Sequence, residues 1–398
     1  MDAMRPLKSR NRANLATTAA RLSRATRWAV FGRASACSQA EPAVTVSAAS
    51  PVELKARLLE RAHALGFARL GVARAEALGV EAERLRAWLS AERHGEMGYM
   101  EETAAVRVDP THRGMLGSAR SIIVLATPYA RQETPRGPAP GRVARYAQGR
   151  DYHNVLYKRA RKLAGLLRDA GHIVRVGVDS LPIFERAWAQ RAGVGFIGKN
   201  CCVIVPGLGS HVFLTALVTN AELPEDAPIK ERCGSCRLCL DVCPTRAFVA
   251  PRELDARKCI SYLTIEQEGP IPEALRSEVG SWIFGCDACQ DVCPFNKAAA
   301  AGAAETAAFA PHARWDALSA EQLLAIDEAD FQQYAEGSPI KRAGRVGMAR
   351  NAAVVLGNAG SARHLPMLEQ AAKTHESETV REAAGWAAAK IRRGRARE

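Results

Sequence analysis

Apolar residues along the chain recur at two different spacings. From Ser50-Pro51 onward, Leu54, Leu58, Leu59, Ala62 and Leu65 return every three or four positions, which predicts an amphipathic helix. Ser50 suits the cap of that helix and Pro51 its first turn. Short apolar runs at Phe67–Val72, Ser121–Thr127 and His172–Val178 predict strands, with a helical stretch from about Val155 to Ala170 between the last two. That alternation predicts a βα-type sheet domain ending near Glu225-Asp226-Ala227-Pro228. Residues 201–219 (CCVIVPGLGSHVFLTALVT) predict two strands joined by a Pro-Gly/Gly-Ser turn. Near the C-terminus, Arg350-Asn351-Ala352-Ala353 and Arg381-Glu382-Ala383-Ala384 stand 31 residues apart, each opening an alanine-rich amphipathic stretch. With a helix over Leu365 to Ala371 between them, the period suggests HEAT-like repeats; a plain helical bundle is the alternative.

Length and charge refine this outline. At 398 residues the chain has room for two or three domains, and it contains no run of eighteen apolar residues that would span a membrane. Its net charge of +13 lies at the two ends. Residues 1–50 carry 8 Lys/Arg against Asp2 and Glu41, residues 340–398 carry 12 against 5 acids, and the middle is balanced. A basic C-terminal module suggests a polyanionic partner. The first fifty residues are rich in Arg, Ala and Ser and lack the apolar core of a secretory signal. An organellar targeting peptide, a misassigned start or a disordered basic extension would each read this way, the last two being favoured. The expected divisions are a basic extension at 1–50, an α/β domain at 51–227, a cysteine-rich domain at 228–300 and a helical region at 301–398, with an alanine-rich linker over Ala298–Ala308.

The cysteines change the picture most. Cys233-x2-Cys236-x2-Cys239-x3-Cys243-Pro244 is followed by an incomplete copy, Cys259 then Cys286-x2-Cys289-x3-Cys293-Pro294. This spacing wraps [4Fe–4S] cubes, and in two-cluster ferredoxins the cysteine before the proline crosses to the other cluster. The rule predicts one cluster on Cys233, Cys236, Cys239 and Cys293 and another on Cys243, Cys259, Cys286 and Cys289. Zinc favours two separated CxxC pairs, and disulfides are rare in a reducing cytosol, so iron–sulfur is the expectation. Cys201 and Cys202 open an apolar run and read as buried, inert thiols.

Clusters only move electrons, so the bond chemistry needs other residues. Asp179 ends a predicted strand, where ligands sit in open α/β sheets, and Glu185-Arg186 and the glycine-rich 192–200 segment follow it. On its own, an aspartate there is more often a helix cap. A second stretch, Arg142 to His153, packs aromatic, acidic and imidazole groups into a glycine-punctuated loop; a solvated loop with a cap at Asp151 is its plainer reading.

Several pieces taken together resemble the tRNA epoxyqueuosine reductase family. They are Arg-Tyr-Ala-x-Gly-x-Asp-Tyr-His at 145–153, Val-Asp-Ser at 178–180, Glu185-Arg186 and Gly-x-x-Gly-Lys-Asn to residue 200, Ser261 to Glu266, and Gly285-Cys286-Asp287-x-Cys289-Gln290-Asp291-Val292-Cys293-Pro294. The resemblance runs from about residue 51 to 390. It implies an α+β/α/β fold: a cobalamin-binding α/β domain, a ferredoxin-like two-[4Fe–4S] domain and C-terminal HEAT-like helices, with a core like that of reductive dehalogenases. It also implies reduction of epoxyqueuosine to queuosine at the wobble position of tRNA, using base-off cobalamin and electrons from a donor such as flavodoxin or ferredoxin. Carried over by position, Asp179 is the proton donor, kept neutral by burial against the corrin. Arg107, Asp151, His153 and Lys199 would contact corrin or substrate, as would the Cys286, Asp287, Ala288 and Cys289 segment. Lys341, Arg342, Arg345, Arg350 and Asn351 would grip tRNA phosphates. The expected protein is cytoplasmic, unattached to membrane and monomeric. The competing readings are a small-molecule reductive dehalogenase, for which an export signal would be expected, and a bare electron carrier, which would not need the flanking domains.

Overall fold

Ser50 closes a reciprocal cap on the first helix, α1 (Pro51–Ala64): its hydroxyl accepts from the Glu53 amide, and the Glu53 carboxylate accepts from the Ser50 amide. The computed structural model describes residues 50–129, 141–297, 299, 307–312 and 319–395. The expected basic extension up to residue 49 and most of the alanine-rich linker therefore lie outside the described residues.

After α1 come β1 (Arg69–Arg74), α2 (Gly79–Ser90), β2 (Ser121–Pro128), α3 (Tyr152–Asp169), β3 (Val174–Gly177), α4 (Glu185–Arg191) and β4 (Val212–Thr219). The four strands form one sheet in the order β1-β2-β4-β3, and each neighbouring pair is antiparallel. The α/β half of the expectation is thereby corrected to α+β. The sequence alternation around α3 has a physical origin all the same. Strands β2 and β3 run the same way because each is antiparallel to β4, which arrives later in the chain and inserts between them. The β2-α3-β3 unit is a split βαβ, and strand order is what local periodicity does not encode.

All eight positions of β2 are buried, because helices cover both faces of the sheet. Leu156, Ala160, Leu163 and Leu167 of α3 join Leu54 and Leu58 of α1 against Ile123, Leu125, Phe213 and Leu217. On the other face Ile183, Ala187 and Trp188 pack on Ile122, Val124, Ala216 and Val218. Each of the leucine, isoleucine, valine and phenylalanine side chains contributes roughly 1.5–3 kcal/mol by leaving water, the alanines less. Gly71 on β1 admits α4's end: a Cβ there would stand 1.9 Å from the Ala192 carbonyl oxygen. The 201–219 segment also departs from a simple hairpin. Val203–Ile204 pairs with Phe196–Ile197, while Val212–Thr219 leaves to become the third-placed strand of the main sheet.

In the cysteine-rich part, Trp282–Phe284 pairs in parallel with Arg142–Val143. One apolar core then runs from Ile260, Leu263, Trp282 and Phe284 into the C-terminal helices α5 (Gly344–Ala359), α6 (Leu365–Thr374) and α7 (Glu378–Arg395). Helix α5 is buried from Met348 to Gly357. Its closest approach to α7 is through small residues, a Cβ on Gly357 falling 2.8 Å from Ala387. Among the described residues no helix is long and apolar enough to cross a membrane.

Candidate active site

The two Cys-Pro motifs build matching half-turns. A one-turn helix, Leu238–Asp241, fills the gap between Cys239 and Cys243, and Ala288–Asp291 does the same between Cys289 and Cys293. Cys293 lies electrostatically beside Cys233, Cys236 and Cys239, while Cys286 neighbours Cys259 and Cys243, and Cys289 neighbours Cys259 and Cys286. The eight thiols thus gather in the two groups that the crossover rule pairs. Burial pushes the Cys239 thiol up to about 11 and Cys286 to about 12. Among the described residues no three His, Cys, Asp or Glu converge to hold a single ion. An all-thiol donor set at this Cys-Pro spacing suits the irons of a cluster, whereas zinc favours two separated CxxC pairs.

Asp179 sits two residues beyond β3 with φ +52°, a left-handed conformation uncommon outside glycine and found where surrounding structure enforces it. Its side chain is 70 % exposed, yet Tyr99, Arg107, Tyr146, Tyr152, His153, Glu185, Arg186 and Arg342 all feel its charge. It therefore stands in an open basin. Tyr152 donates its hydroxyl hydrogen to Asp179 Oδ2 at 3.0 Å, and His153 Nε2 is 3.8 Å from the same oxygen. The imidazole's other nitrogen, Nδ1, lies 2.8 Å from Asp151 Oδ1, and Asp151 in turn caps α3 by accepting from the His153 amide. His153 stacks on Tyr152 at 4.0 Å, and Tyr152 on Phe213 of β4 at 4.3 Å, which fixes both rings over the sheet.

Charge follows from this geometry. The walls of the basin would by themselves raise the Asp179 carboxyl, but His153 close by and the hydrogen bond from Tyr152 outweigh them and hold the group below its usual range. Burial alone would lower His153, but Asp151 and Asp179 carry it up to about 9. At neutral pH the proton is on His153 and Asp179 is ionised, opposite to the neutral carboxyl expected with a corrin against it. Glu185, at the start of α4, is pushed up to about 8, chiefly by burial and then by Asp179's charge, and its Oε1 is buried with no hydrogen-bond partner. Arg186 carries the basin toward the cluster ligands: its guanidinium donates to the Cys201 carbonyl at 3.0 Å, and Cys202 lies beside Cys289. Cys201 and Cys202 are half-buried rather than fully enclosed.

The other expected contacts divide. Arg107 reaches the basin with its guanidinium 5.6 Å from the Tyr99 ring, and Arg342 stacks near the same ring at 5.9 Å while pairing with Glu266. Asp287 is buried, accepts from the Arg145 amide at 2.8 Å and is pushed by burial to about 6. Lys199 does not face the basin freely: its ammonium donates to the carbonyls of Gly234 and Cys236, bracing the first cysteine loop. Arg350 and Asn351 are corrected outright, being 1 % and 0 % exposed and out of reach of any phosphate. Arg350 donates to the carbonyls of Leu263, Gln267 and Gly269, and Asn351 to those of Thr264 and Ile283. Arg345 is engaged by Glu328 and Glu376, with a side chain 10 % exposed, whereas Lys341 is open to solvent. Arg345, Arg350 and Asn351 fall on α5, a helix that local charge counting took for a surface; its burial comes from the core shared with the cysteine module. Tyr99 carried no signal in the sequence, being a lone aromatic brought in by the fold.

A split-βαβ domain with an ionisable basin beside a double Cys-Pro module defines an iron–sulfur redox enzyme. The family described as "Epoxyqueuosine reductase QueG, DUF1730" matches residues 107–180, and "4Fe-4S double cluster binding domain" matches 232–296. Similar chains include the epoxyqueuosine reductases of Gloeobacter violaceus, 42 % identical over 77 % of this chain and 96 % of that one, and of Escherichia coli, 41 % identical over 74 % and 78 %. Among solved structures, the fold is similar to an epoxyqueuosine reductase crystallised with an epoxyqueuosine-modified tRNA-Tyr stem loop, at TM-score 0.77, 32 % identity, and coverage of 85 % of this chain and 90 % of that one. It is also similar to the Bacillus subtilis enzyme seen with its catalytic aspartate loop swung out of the active site, at TM-score 0.76, 32 % identity and the same coverage. The chain belongs to the epoxyqueuosine reductase family, and is an oxidoreductase with a 4Fe–4S double-cluster domain.

Proposed function

We propose that this chain reduces epoxyqueuosine to queuosine at the wobble position of tRNA, in the cytoplasm, with base-off cobalamin in the Asp179 basin. The residues fit such a guest: the basin is open, and it offers phenols, guanidinia and the partnerless Glu185 oxygen to a ring bearing amides. Tyr99, Arg107, Glu185 and Arg186 would hold it, with the Cys286–Cys289 backbone on the cluster side. When bound, cobalamin supplies a low-valent cobalt nucleophile that no side chain can match. The epoxide takes up two electrons and two protons, and its oxygen leaves as water. Electrons enter from a low-potential donor of the flavodoxin or ferredoxin kind. Cys233, Cys236, Cys239 and Cys293 would hold one cluster and Cys243, Cys259, Cys286 and Cys289 a second, which would supply those electrons one at a time; Cys202, beside Cys289 and Arg186, links the second thiol group to the basin. The helices α5 to α7 form the HEAT-like part.

The observation that carries this reading is Asp179 held out at φ +52° with the His153 imidazole 3.8 Å behind it. His153 stores the proton, and Asp179 is the group that meets the departing oxygen. Filling the basin removes water from the pair, which favours moving the proton from His153 to Asp179 and on to the epoxide oxygen. Tyr152 keeps the carboxylate aimed. The test is anaerobic reconstitution with iron, sulfide and cobalamin, followed by reductant and epoxyqueuosine-bearing tRNA, with nucleoside mass analysis for loss of one oxygen. Wild type should convert and Asp179→Asn should fall by about 100-fold or more. No conversion by wild type with intact clusters and bound cobalamin would sink the proposal in favour of a small-molecule reductase.

A further inference from the structure

The basic residues expected to grip RNA around position 350 are mostly buried or paired, yet an unpaired basic stripe occurs elsewhere. It lies on the outer face of α3, the helix whose first turn carries Tyr152 and His153. Asn154, Tyr157, Lys158, Arg161, Lys162 and Arg168 are exposed there. Among the described residues none of its four cations has a carboxylate within ion-pair distance.

Helical spacing makes the stripe unusual. Lys158 has Arg161 three residues on and Lys162 four residues on, and no acid stands three or four positions from any of the three. Like charges at these spacings weaken a helix by roughly 0.2–0.5 kcal/mol per pair, so the arrangement works against α3 itself. Arg168 lies in the last turn, where the helix dipole favours a cation and no further reason is required. Lys158, Arg161 and Lys162 lie mid-helix and have no such account.

Position supplies one. Lys158 is five residues past His153 and Lys162 nine, which at 1.5 Å per residue is roughly 8 and 14 Å of helix rise. That places the three cations within reach of phosphates that neighbour a base lowered to Asp179. Tyr157, 42 % exposed between the basin and the cations, offers a ring for an unstacked base.

We propose that Lys158, Arg161 and Lys162 on α3 are the phosphate track that lays the anticodon stem–loop across the basin, with Tyr157 as a stacking platform at its near end. This deepens the tRNA reading above and rests on it. The test is anisotropy titration of a labelled anticodon stem–loop with reconstituted holoenzyme at several salt concentrations. Lys158→Glu/Arg161→Glu/Lys162→Glu should weaken binding at least tenfold and reduce the slope of log affinity on log salt by about two. The neutral variant Lys158→Gln/Arg161→Gln/Lys162→Gln relieves the like-charge repulsion, so it should melt no lower than wild type and lose affinity in the same direction. Wild-type affinity and salt slope in both variants, with wild type still converting tRNA, would overturn the track alone. Failure of wild type to bind or convert the RNA would overturn the track and the tRNA reading together.

Discussion

Replacing Arg350 by methionine tests whether a buried cation holds the second cysteine group in shape. Its guanidinium is 1 % exposed and, among the described residues, has no carboxylate within ion-pair distance; it donates to three carbonyls at 2.6–2.7 Å and to Asn351 Oδ1 at 2.8 and 3.0 Å. Stranding four acceptors, the buried Leu263 carbonyl and Asn351 Oδ1 and the half-buried carbonyls of Gln267 and Gly269, costs about 6 kcal/mol at about 1.5 kcal/mol each. Removing the cation returns something: burial lowers Arg350 from 12.5 to about 10, a penalty of about 3 kcal/mol that methionine escapes. The net loss is about 3 kcal/mol. It falls on the segment after Cys259, whose Thr264 hydroxyl accepts from the amide of Gly285, next to Cys286. Urea unfolding of the reconstituted holoprotein, followed by tryptophan fluorescence and visible cluster absorbance, should show the destabilisation with cluster absorbance lost ahead of fluorescence. Iron content should fall from about eight atoms per chain toward about four. A loss under about 1 kcal/mol with iron intact would refute the reasoning, because water would then be reaching the stranded carbonyls.

Other outcomes follow from single sites. His153→Gln should destabilise most below about pH 6.5: the folded pKa is raised to about 9, so the stabilisation is full below the unfolded value and fades as pH rises through 9, read as melting temperature against pH for both proteins. Glu185→Gln should gain stability relative to wild type as pH climbs from 4.5 through about 8 and level off above, since the ionised carboxyl is the penalised form; a flat difference would show that Glu185 is solvated. Gly71→Ala drives a methyl onto the Ala192 carbonyl and should cost about 3 kcal/mol or leave the chain insoluble, measured by denaturation or soluble yield. Lys199→Met frees the carbonyls of Gly234 and Cys236 and should lower iron retention during gel filtration while leaving the far-ultraviolet spectrum unchanged.

Local chemistry was readable wherever the determinant is short-ranged. The Ser50–Glu53 cap, the strand periods and the Cys-Pro spacing each sit within a few residues, and each appears where its pattern falls. Asp179 could be flagged by position, but its ionised state depends on His153 and Tyr152, which a different helix supplies. Strand order failed for the same reason: nothing near residue 215 says that β4 will part β2 from β3. The basic patch at 341–351 misled because Arg350 and Asn351 look like any helical surface until the partners at Leu263, Thr264 and Ile283 are in place. Meanwhile the α3 cations sat in a stretch whose overall charge is balanced, and a sum along the chain erased them.

Asn351 also imposes an order on biogenesis. It ties the Thr264 and Ile283 carbonyls together across separations of 87 and 68 residues, both of them between Cys259 and Cys286. A ribosome releases Cys259, Cys286 and Cys289 well before α5. During that interval the second group is without this clamp, whereas Phe295 and Asn296, whose amides face Cys293 of the first group, precede α5. A chain truncated before residue 350 should therefore hold iron more weakly at the second group than at the first.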